Sequence, residues 1–248
     1  MQLDFFSIGQ KAPQEQFNLW TDDLSKAAKP KAAIKYEKVE EFFRTLNSKE
    51  ITTYKEYWGR LVPENDVERF KRYIFSFLSV HSTWENNVKS YNLLKNWTEW
   101  FNRPEILKEK LIESKVGLFN NRTKFIQEFS EKYWNNPDTF KKSDDENWAS
   151  YRNRLEKLIL GLGFAKTSFA IELLYPNRAE VACTDVHIYR MYGLSQKRDM
   201  KQGSGIEKHF VQMSKLWNCP PAIARGVLWD RLQNKPSPAY WAYVFEKQ

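Results

Sequence analysis

Two short segments contain side chains that could act together in catalysis: GLGFAKTSFAI (161–171) and ACTDVHIYR (182–190). Lys166 lies in the first segment, and Asp185 follows it nineteen residues later in the second. A neutral lysine amine can attack the C1′ carbon of a sugar and form a Schiff base. A carboxylate beside it could stabilise positive charge on that sugar or assist proton transfer. The alternative is that the two segments only build a helical hairpin.

The segment around Lys166 predicts a helix-turn-helix over residues 155–174. An apolar helix leads into two glycines, and a second amphipathic helix follows them. Glycine permits positive φ angles and close approach of the backbone to a partner. The first N–H groups of the second helix could then bind a phosphate, helped by the helix dipole. We therefore expect this hairpin to bind one DNA strand through Gly161, Gly163, Ala165 and Thr167.

Lys166 and Asp185 each allow a structural interpretation as well as a chemical one. The start of a helix disfavours an ammonium group and therefore lowers the pKa of Lys166. Lowering it from about 10.4 to near 7 requires roughly 4 to 5 kcal/mol, so burial must supply most of the effect. Alternatively, Lys166 lies on a solvated face. Asp185 precedes the helical segment VHIYRMYG and could simply be its N-cap.

The composition excludes several classes of protein. The chain has 248 residues, 42% of them hydrophobic, which is enough for a substantial core. It contains two cysteines, Cys183 and Cys219, and no C-x-x-C pair, so we expect a reducing compartment and no metal or other cofactor. No run of about 18 apolar residues predicts a membrane span, and the first ten residues do not read as a signal peptide. The net charge of +8 suits a polyanionic partner.

Helical periodicity predicts an all-α protein. Apolar residues recur at spacings of three and four, and sustained alternation of the strand type is absent. At helical spacing the many aromatic residues are expected to form core rather than base-stacking surfaces. Residues 1–34 are expected to form a loosely structured lead-in. The polar segment 135–148 is expected to connect two helices, with a helix cap near Ser143 or Asp144. The apolar stripes are Tyr36, Val39, Phe42, Phe43 and Leu46; Phe70, Tyr73, Ile74, Phe77 and Leu78; Leu155, Leu158, Ile159 and Leu162; and Phe169, Leu173 and Leu174.

Four blocks in order resemble the helix-hairpin-helix, Gly/Pro-Asp superfamily of DNA glycosylases, the group of endonuclease III and 8-oxoguanine glycosylase. FLSVHSTWENNVKSYNLL (77–94) and VGLFNNRTKFIQEF (116–129) are similar to two helices of that family. The glycine hairpin with Lys166 and the TDVH segment with Asp185 resemble its G-x-G-x-K and V-D-[TV]-H motifs. The resemblance covers roughly residues 70–193.

The resemblance implies a two-lobed helical fold with the active site in the cleft between the lobes. The glycosylase-like core would comprise residues 35–248. Residues 71–176 would form the central helical barrel lobe, which includes the hairpin. Residues 35–70 and 177–248 would form the second lobe.

The resemblance also implies roles for individual residues. Lys166 would be the catalytic amine and Asp185 the essential carboxylate. His81 takes the place of the glutamine that fills the hole left by the flipped base, and Leu118 matches the wedge against the opposite strand. Base extrusion costs a few kcal/mol, which such a wedge and plug offset. Two further DNA contacts are expected near the wedge, at Asn120 and Arg122.

The sequence departs from the family pattern at three points. The turn GLGFAK has one residue more before the lysine than G-x-G-x-K, and no proline precedes it. No cysteine quartet for an iron–sulfur cluster follows the core. His81 stands where the family has glutamine, which favours an altered substrate or a different way of holding it.

Three functions are compatible with these residues. The first is a base-excision DNA glycosylase with AP-lyase activity, acting as a monomer on double-stranded DNA that contains a damaged or modified base. It would work in the cytoplasm, at the nucleoid or in a phage-infected cell. The second is a phage-type enzyme that installs or remodels hypermodified thymine on the same scaffold. The third is a non-catalytic DNA-binding module in which Lys166 contacts phosphate and Asp185 only caps a helix.

Overall fold

The computed structural model describes residues 33–233 and 243–246, and this part of the chain is all-α, as predicted. The lead-in predicted for residues 1–34 lies almost wholly outside the described residues. Eleven α-helices occur in the described part: α1 Tyr36–Arg44, α2 Ser48–Arg60, α3 Asp66–Leu78, α4 Trp84–Leu94, α5 Pro104–Glu113, α6 Phe119–Asn135, α7 Trp148–Leu158, α8 Phe164–Leu174, α9 Val186–Met191, α10 Gly203–Leu216 and α11 Pro221–Leu232. Short 3₁₀ turns lie at Trp97–Glu99, Pro137–Phe140, Met200–Gln202 and Tyr243–Phe245.

Most residues of the predicted apolar stripes form the core, with Tyr36 exposed and Leu158 partly buried, and most of the aromatic side chains lie in the core as expected. Helix α3 buries its whole stripe, and its rings pack with those of α6. Phe70 and Phe129 stack with centroids 5.7 Å apart, and Tyr73 lies 5.1 Å from Phe129. Such aromatic clusters bury large apolar areas with specific ring geometry, so they fix the relative position of the helices.

The connection before α7 corrects one prediction. The expected cap at Ser143 or Asp144 is wrong, because α7 begins after Asn147, whose side chain accepts a hydrogen bond from Ser150 N at 2.8 Å. The polar connection is also anchored, since Phe140 is buried and its carbonyl accepts the Tyr151 hydroxyl at 2.6 Å. A single buried aromatic residue in a polar loop produces no periodic pattern, so the anchor at Phe140 could not be predicted. Asn147 could have been predicted as the cap, because asparagine caps helices about as well as serine or aspartate.

Helix α8 lies where two groups of helices meet. It packs against α3, α7 and α11. Helices α3 to α6 form one contacting group, while α10 contacts α1 and α11, and α11 also packs against α2. The lobe boundaries predicted at residues 71 and 176 stay a prediction. Within the described residues, no helix combines the length and the apolar character that crossing a membrane requires.

Candidate active site

The predicted hairpin is formed by α7 and α8, with the two glycines in the turn between them. Gly161 has a φ of +93°, and a Cβ there would lie 2.5 Å from the Phe125 ring. Gly163 has an extended backbone, and a Cβ there would meet no atom of the described residues within 4 Å. Gly161 therefore serves packing inside the protein, whereas the backbone at Gly163 is open to a partner.

The first turn of α8 separates the predicted DNA contacts into outward and inward ones. Lys166 N and Thr167 N both donate to Gly163 O, at 3.0 and 2.9 Å. The Thr167 side chain is buried, and its hydroxyl donates to Leu162 O at 3.0 Å. Ala165 is partly exposed, and its amide precedes the first hydrogen-bonded amide of the helix. The hairpin thus presents backbone rather than the Thr167 hydroxyl to its surroundings, and DNA binding by these residues stays a prediction.

Lys166 lies in a pocket of about 110 Å³. Its Nζ is 5.3 Å from the centre of the Phe169 ring, and none of the described residues forms a hydrogen bond or an ion pair with it. Burial lowers the pKa of Lys166, against the opposing effect of Cys183 and Asp185. A larger fraction of the amine is therefore neutral than in a solvated lysine. The pocket is lined by Ser79, Ser82, Thr83, Trp84, Asn87, Lys166, Phe169, Cys183, Asp185, Arg225 and Trp229.

Asp185 lines the same pocket, so the structure brings the two predicted catalytic residues together. One oxygen, Oδ1, accepts from His187 N at 2.8 Å and from Ile188 N at 3.1 Å, which makes Asp185 the N-cap of α9. The other oxygen, Oδ2, lies 3.7 Å from Nη1 of Arg225. The cap holds the carboxylate in one orientation, and its side chain remains 21% exposed. The capping interpretation is confirmed, and the same geometry leaves Oδ2 available to the pocket.

Two buried carboxylates position the segment that leads to Asp185. Ala182 N donates to Glu207 at 3.1 Å, and Cys183 N donates to Glu172 at 2.9 Å. Because both amides are held by side chains from packed helices, the chain enters α9 along a defined path. Asp185 is therefore fixed from both sides, by these bonds before it and by its own cap after it.

Sequence reasoning missed Arg225 and its partner Glu172. Arg225 is buried on α11, and its Nε donates to Glu172 at 2.7 Å while its Nη1 faces Asp185. A signal was available, because each residue is a lone charge in an apolar helical segment, PAIARGVLW and SFAIELL. Charged side chains are rarely buried unless they are paired. The sequence did not reveal which charges pair across 53 residues.

The predicted plug and wedge residues occupy two neighbouring turns. His81 and Leu118 both have left-handed backbones, with φ of 48° and 49°, and both are exposed. Leu118 is 52% exposed and precedes α6, where Asn120 is also exposed. His81 is followed by Ser82, which lines the pocket. The His81 turn therefore lies at the edge of the Lys166 pocket, and the side chains of both His81 and Leu118 remain exposed.

Arg122 is buried and holds these two turns together. Its Nη1 donates to Phe77 O at 2.6 Å and its Nη2 to Val80 O, at the end of α3. Its Nε donates to Gly117 O at 2.9 Å in the turn before α6, and burial lowers its pKa to about 10. The guanidinium is thus directed at protein carbonyls. A DNA contact by Arg122 remains a prediction that would compete with these bonds.

Within the described residues, no three His, Cys, Asp or Glu side chains come together in a way that could hold a metal ion. The charged or titratable groups that line the pocket include an amine, a carboxylate and a guanidinium. Such a set can carry out nucleophilic and proton-transfer chemistry without a metal.

The fold is shared with solved structures of 8-oxoguanine DNA glycosylases, as the sequence resemblance predicted. The 8-oxoguanine DNA glycosylase of Thermotoga maritima matches 82% of this chain and 96% of its own, with a TM-score of 0.59 and 16% identity. That of Methanocaldococcus jannaschii matches 81% and 94%, with a TM-score of 0.60 and 19% identity. The M. jannaschii 8-oxoguanine glycosylase/lyase in complex with a 15-mer DNA containing 8-oxoguanine matches 81% and 97%, with a TM-score of 0.62 and 18% identity. No family sequence model and no curated protein sequence matches the chain.

Proposed function

We propose that this protein is a DNA glycosylase with AP-lyase activity that removes a modified base from duplex DNA. The observation that carries the proposal is the Lys166 amine, which lacks a polar partner among the described residues, has a lowered pKa and shares a pocket with Asp185. A lysine that only neutralised phosphate would lie on a solvated surface with a raised or ordinary pKa. The fold shared with DNA glycosylase structures supports the same conclusion.

In the proposed reaction, the neutral Nζ of Lys166 attacks C1′ of the extruded nucleotide. The bond between C1′ and the base nitrogen breaks, and the base leaves with the electron pair and takes up a proton. The Asp185 carboxylate stabilises the positive charge that develops on the sugar. Loss of a proton from the amine and opening of the sugar ring give a Schiff base. Removal of a C2′ proton then breaks the C3′–O bond and releases the 3′ phosphate.

The surface around the pocket supports binding to duplex DNA. The open backbone at Gly163 and the amide of Ala165 would receive a phosphate of the strand that carries the target base. Leu118 would enter the base stack, and His81 would occupy the space of the extruded base. With a net charge of +8, binding should weaken steeply with salt. We further propose that the protein acts as a monomer. It would work in the cytoplasm, at the nucleoid or in a phage-infected cell.

Borohydride trapping on oligonucleotides with an abasic site or a panel of modified bases tests the proposal. The wild type should give a covalent protein–DNA adduct, and Lys166→Gln should give none while it still binds DNA. Lys157→Gln is the matched control, since Lys157 is an exposed lysine on α7 outside the pocket. Adducts that persist in Lys166→Gln would show that another amine is the nucleophile.

The same experiment separates the two alternative functions. A non-catalytic DNA-binding module would give no adduct in the wild type. In that case Lys166→Gln would reduce the slope of the logarithm of the DNA-binding constant against the logarithm of the salt concentration by about one unit. A base-modifying enzyme would leave the strand intact, and mass analysis of the nucleosides would show an altered base in place of a lost one.

A further inference from the structure

Asn87 is the feature of the pocket that the reaction above does not use. It lies on α4, is 4% exposed, and lines the same pocket as Lys166. Its Oδ1 is buried and accepts no hydrogen bond from any of the described residues. A residue of the pocket wall thus holds an amide oxygen with two lone pairs and no donor in the described part of the chain.

The hydroxyl groups that line the same wall are each used within the protein. Ser79 donates to Ser76 O at 2.8 Å, and Ser82 donates to Thr83 O at 3.1 Å. The Thr83 hydroxyl caps α4 by accepting from Asn86 N at 3.3 Å. The missing partner of Asn87 is therefore particular to this residue and not a general property of the pocket wall.

A buried amide without a partner destabilises the folded protein, because the group loses its bonds to water and gains none. Rotating the amide by half a turn exchanges its oxygen and nitrogen and would leave a donor unsatisfied in place of an acceptor. Nearly all buried polar groups are paired, so an exception in a pocket indicates a group that a ligand completes. The ligand group must offer an N–H donor to Oδ1.

We propose that Asn87 is a specificity-determining residue that pairs with the edge of the extruded base. This inference rests on the proposed glycosylase function. The bases it favours present a ring or exocyclic N–H toward α4, and a neighbouring acceptor on that edge can take a bond from the amide nitrogen. An abasic site has no such edge. The contribution of Asn87 therefore belongs to base release and not to cleavage at a sugar that has already lost its base.

Single-turnover assays of these two steps test the inference. Asn87→Leu replaces the amide by an apolar group of similar size, and Asn87→Ala removes it without filling the pocket. Both variants should release the preferred base of the wild type at least about tenfold more slowly, which corresponds to the loss of one hydrogen bond. Both should cleave preformed abasic DNA within about twofold of the wild type. Asn92→Leu, an exposed asparagine on the same helix, is the control and should change neither step.

The outcomes separate this inference from the proposed function. Thermal melting should show Asn87→Leu to be as stable as the wild type or more so, because an unsatisfied polar group has been removed. Equal losses in both steps, or unchanged base release, would overturn the role of Asn87. A wild type that cleaves abasic DNA but releases no base from the panel would overturn it as well. A wild type that is inert in both assays would instead overturn the proposed function.

Discussion

The protein buries two arginine–glutamate pairs that differ in how completely they are closed. Arg152 and Glu207 are bonded at 2.9 and 3.1 Å, and Ser168 and Ala182 N complete the second glutamate oxygen. Arg225 and Glu172 are equally buried, but the arginine also faces Asp185 in the pocket. The carboxylate of the first pair bonds only to groups of the protein. The second pair adjoins the pocket, where the Asp185 carboxylate and the Lys166 amine could still bind a substrate.

The comparison shows how one fold assigns buried charge to two purposes. Both pairs lie against α8, and both glutamates hold the segment before Asp185. The first pair stabilises the positions of the helices that carry it. Removing one partner would leave an uncompensated buried charge. A pair that ends at a partly exposed carboxylate can also stabilise charge that appears during a reaction.

The largest effect on stability is expected from Arg152→Leu. It leaves the Glu207 carboxylate buried without its charged partner, which costs about 3 to 5 kcal/mol. Arg44→Leu removes an arginine from an exposed pair with Glu40 and should cost at most about 1 kcal/mol. Urea unfolding of the wild type and the two variants gives the change in the free energy of unfolding. Equal losses in the two variants would show that the Arg152 pair is not a closed structural unit.

The next largest effect is expected in catalysis, from Asp185→Asn. Asparagine caps a helix about as well as aspartate, so the unfolding free energy should change little. The rate of adduct formation should fall about 10²- to 10³-fold, because the charge that faces the sugar is lost. Melting curves and trapping kinetics on the same samples decide. Wild-type kinetics in Asp185→Asn would reduce this residue to its capping role.

The two hairpin glycines differ in the same way as the two ion pairs, one closed by protein contacts and one open. Gly161→Ala places a methyl group against Phe125 at a positive φ and should cost about 1 to 3 kcal/mol of stability. The methyl group of Gly163→Ala meets no atom of the described part of the chain within 4 Å, so this change should alter stability by less than about 0.5 kcal/mol and weaken DNA binding instead. Unfolding and DNA-binding measurements check both variants. A loss of stability in Gly163→Ala with no loss in Gly161→Ala would contradict the assignment of Gly161 to internal packing and of Gly163 to DNA binding.

The smallest effect on stability is expected from Leu118→Ala. A core leucine would lose about 2 to 5 kcal/mol on truncation, whereas one that is 52% exposed should lose about 0.5 kcal/mol or less. Base release from duplex DNA should nevertheless slow. A fluorescent base analogue next to the target site would report extrusion. A large drop in melting temperature would place Leu118 in the core.

Local periodicity was enough to predict much of the fold. The stripes of α3 and α8 are buried where their spacing of three and four predicted. The turn between α7 and α8 and the cap at Asp185 also follow from residue type alone, since they depend on neighbours within a few positions. Tyr36 is the exception in its stripe, because it lies at the exposed start of α1.

The pocket could be predicted only in part, because its members come from distant segments. Lys166 and Asp185 were found through motifs, but Asn87 and Arg225 carry no motif and reach the pocket only through packing. The inward direction of Thr167 and Arg122 was missed for the same reason. Sequence spacing places a residue on a helix, whereas the neighbouring helices decide whether its side chain meets carbonyls or solvent.

The guanidinium of Arg122 has a mechanical consequence for the two turns it joins. It bonds carbonyls at the end of α3 and before α6, so neither turn can shift without stretching bonds to the other. The turns that carry His81 and Leu118 therefore form one connected unit and do not move independently. A duplex that displaces Leu118 would transmit that displacement to His81 and on to Ser82 at the pocket rim. In the proposed glycosylase reaction, entry of Leu118 into the duplex and movement of the pocket rim would therefore be coupled.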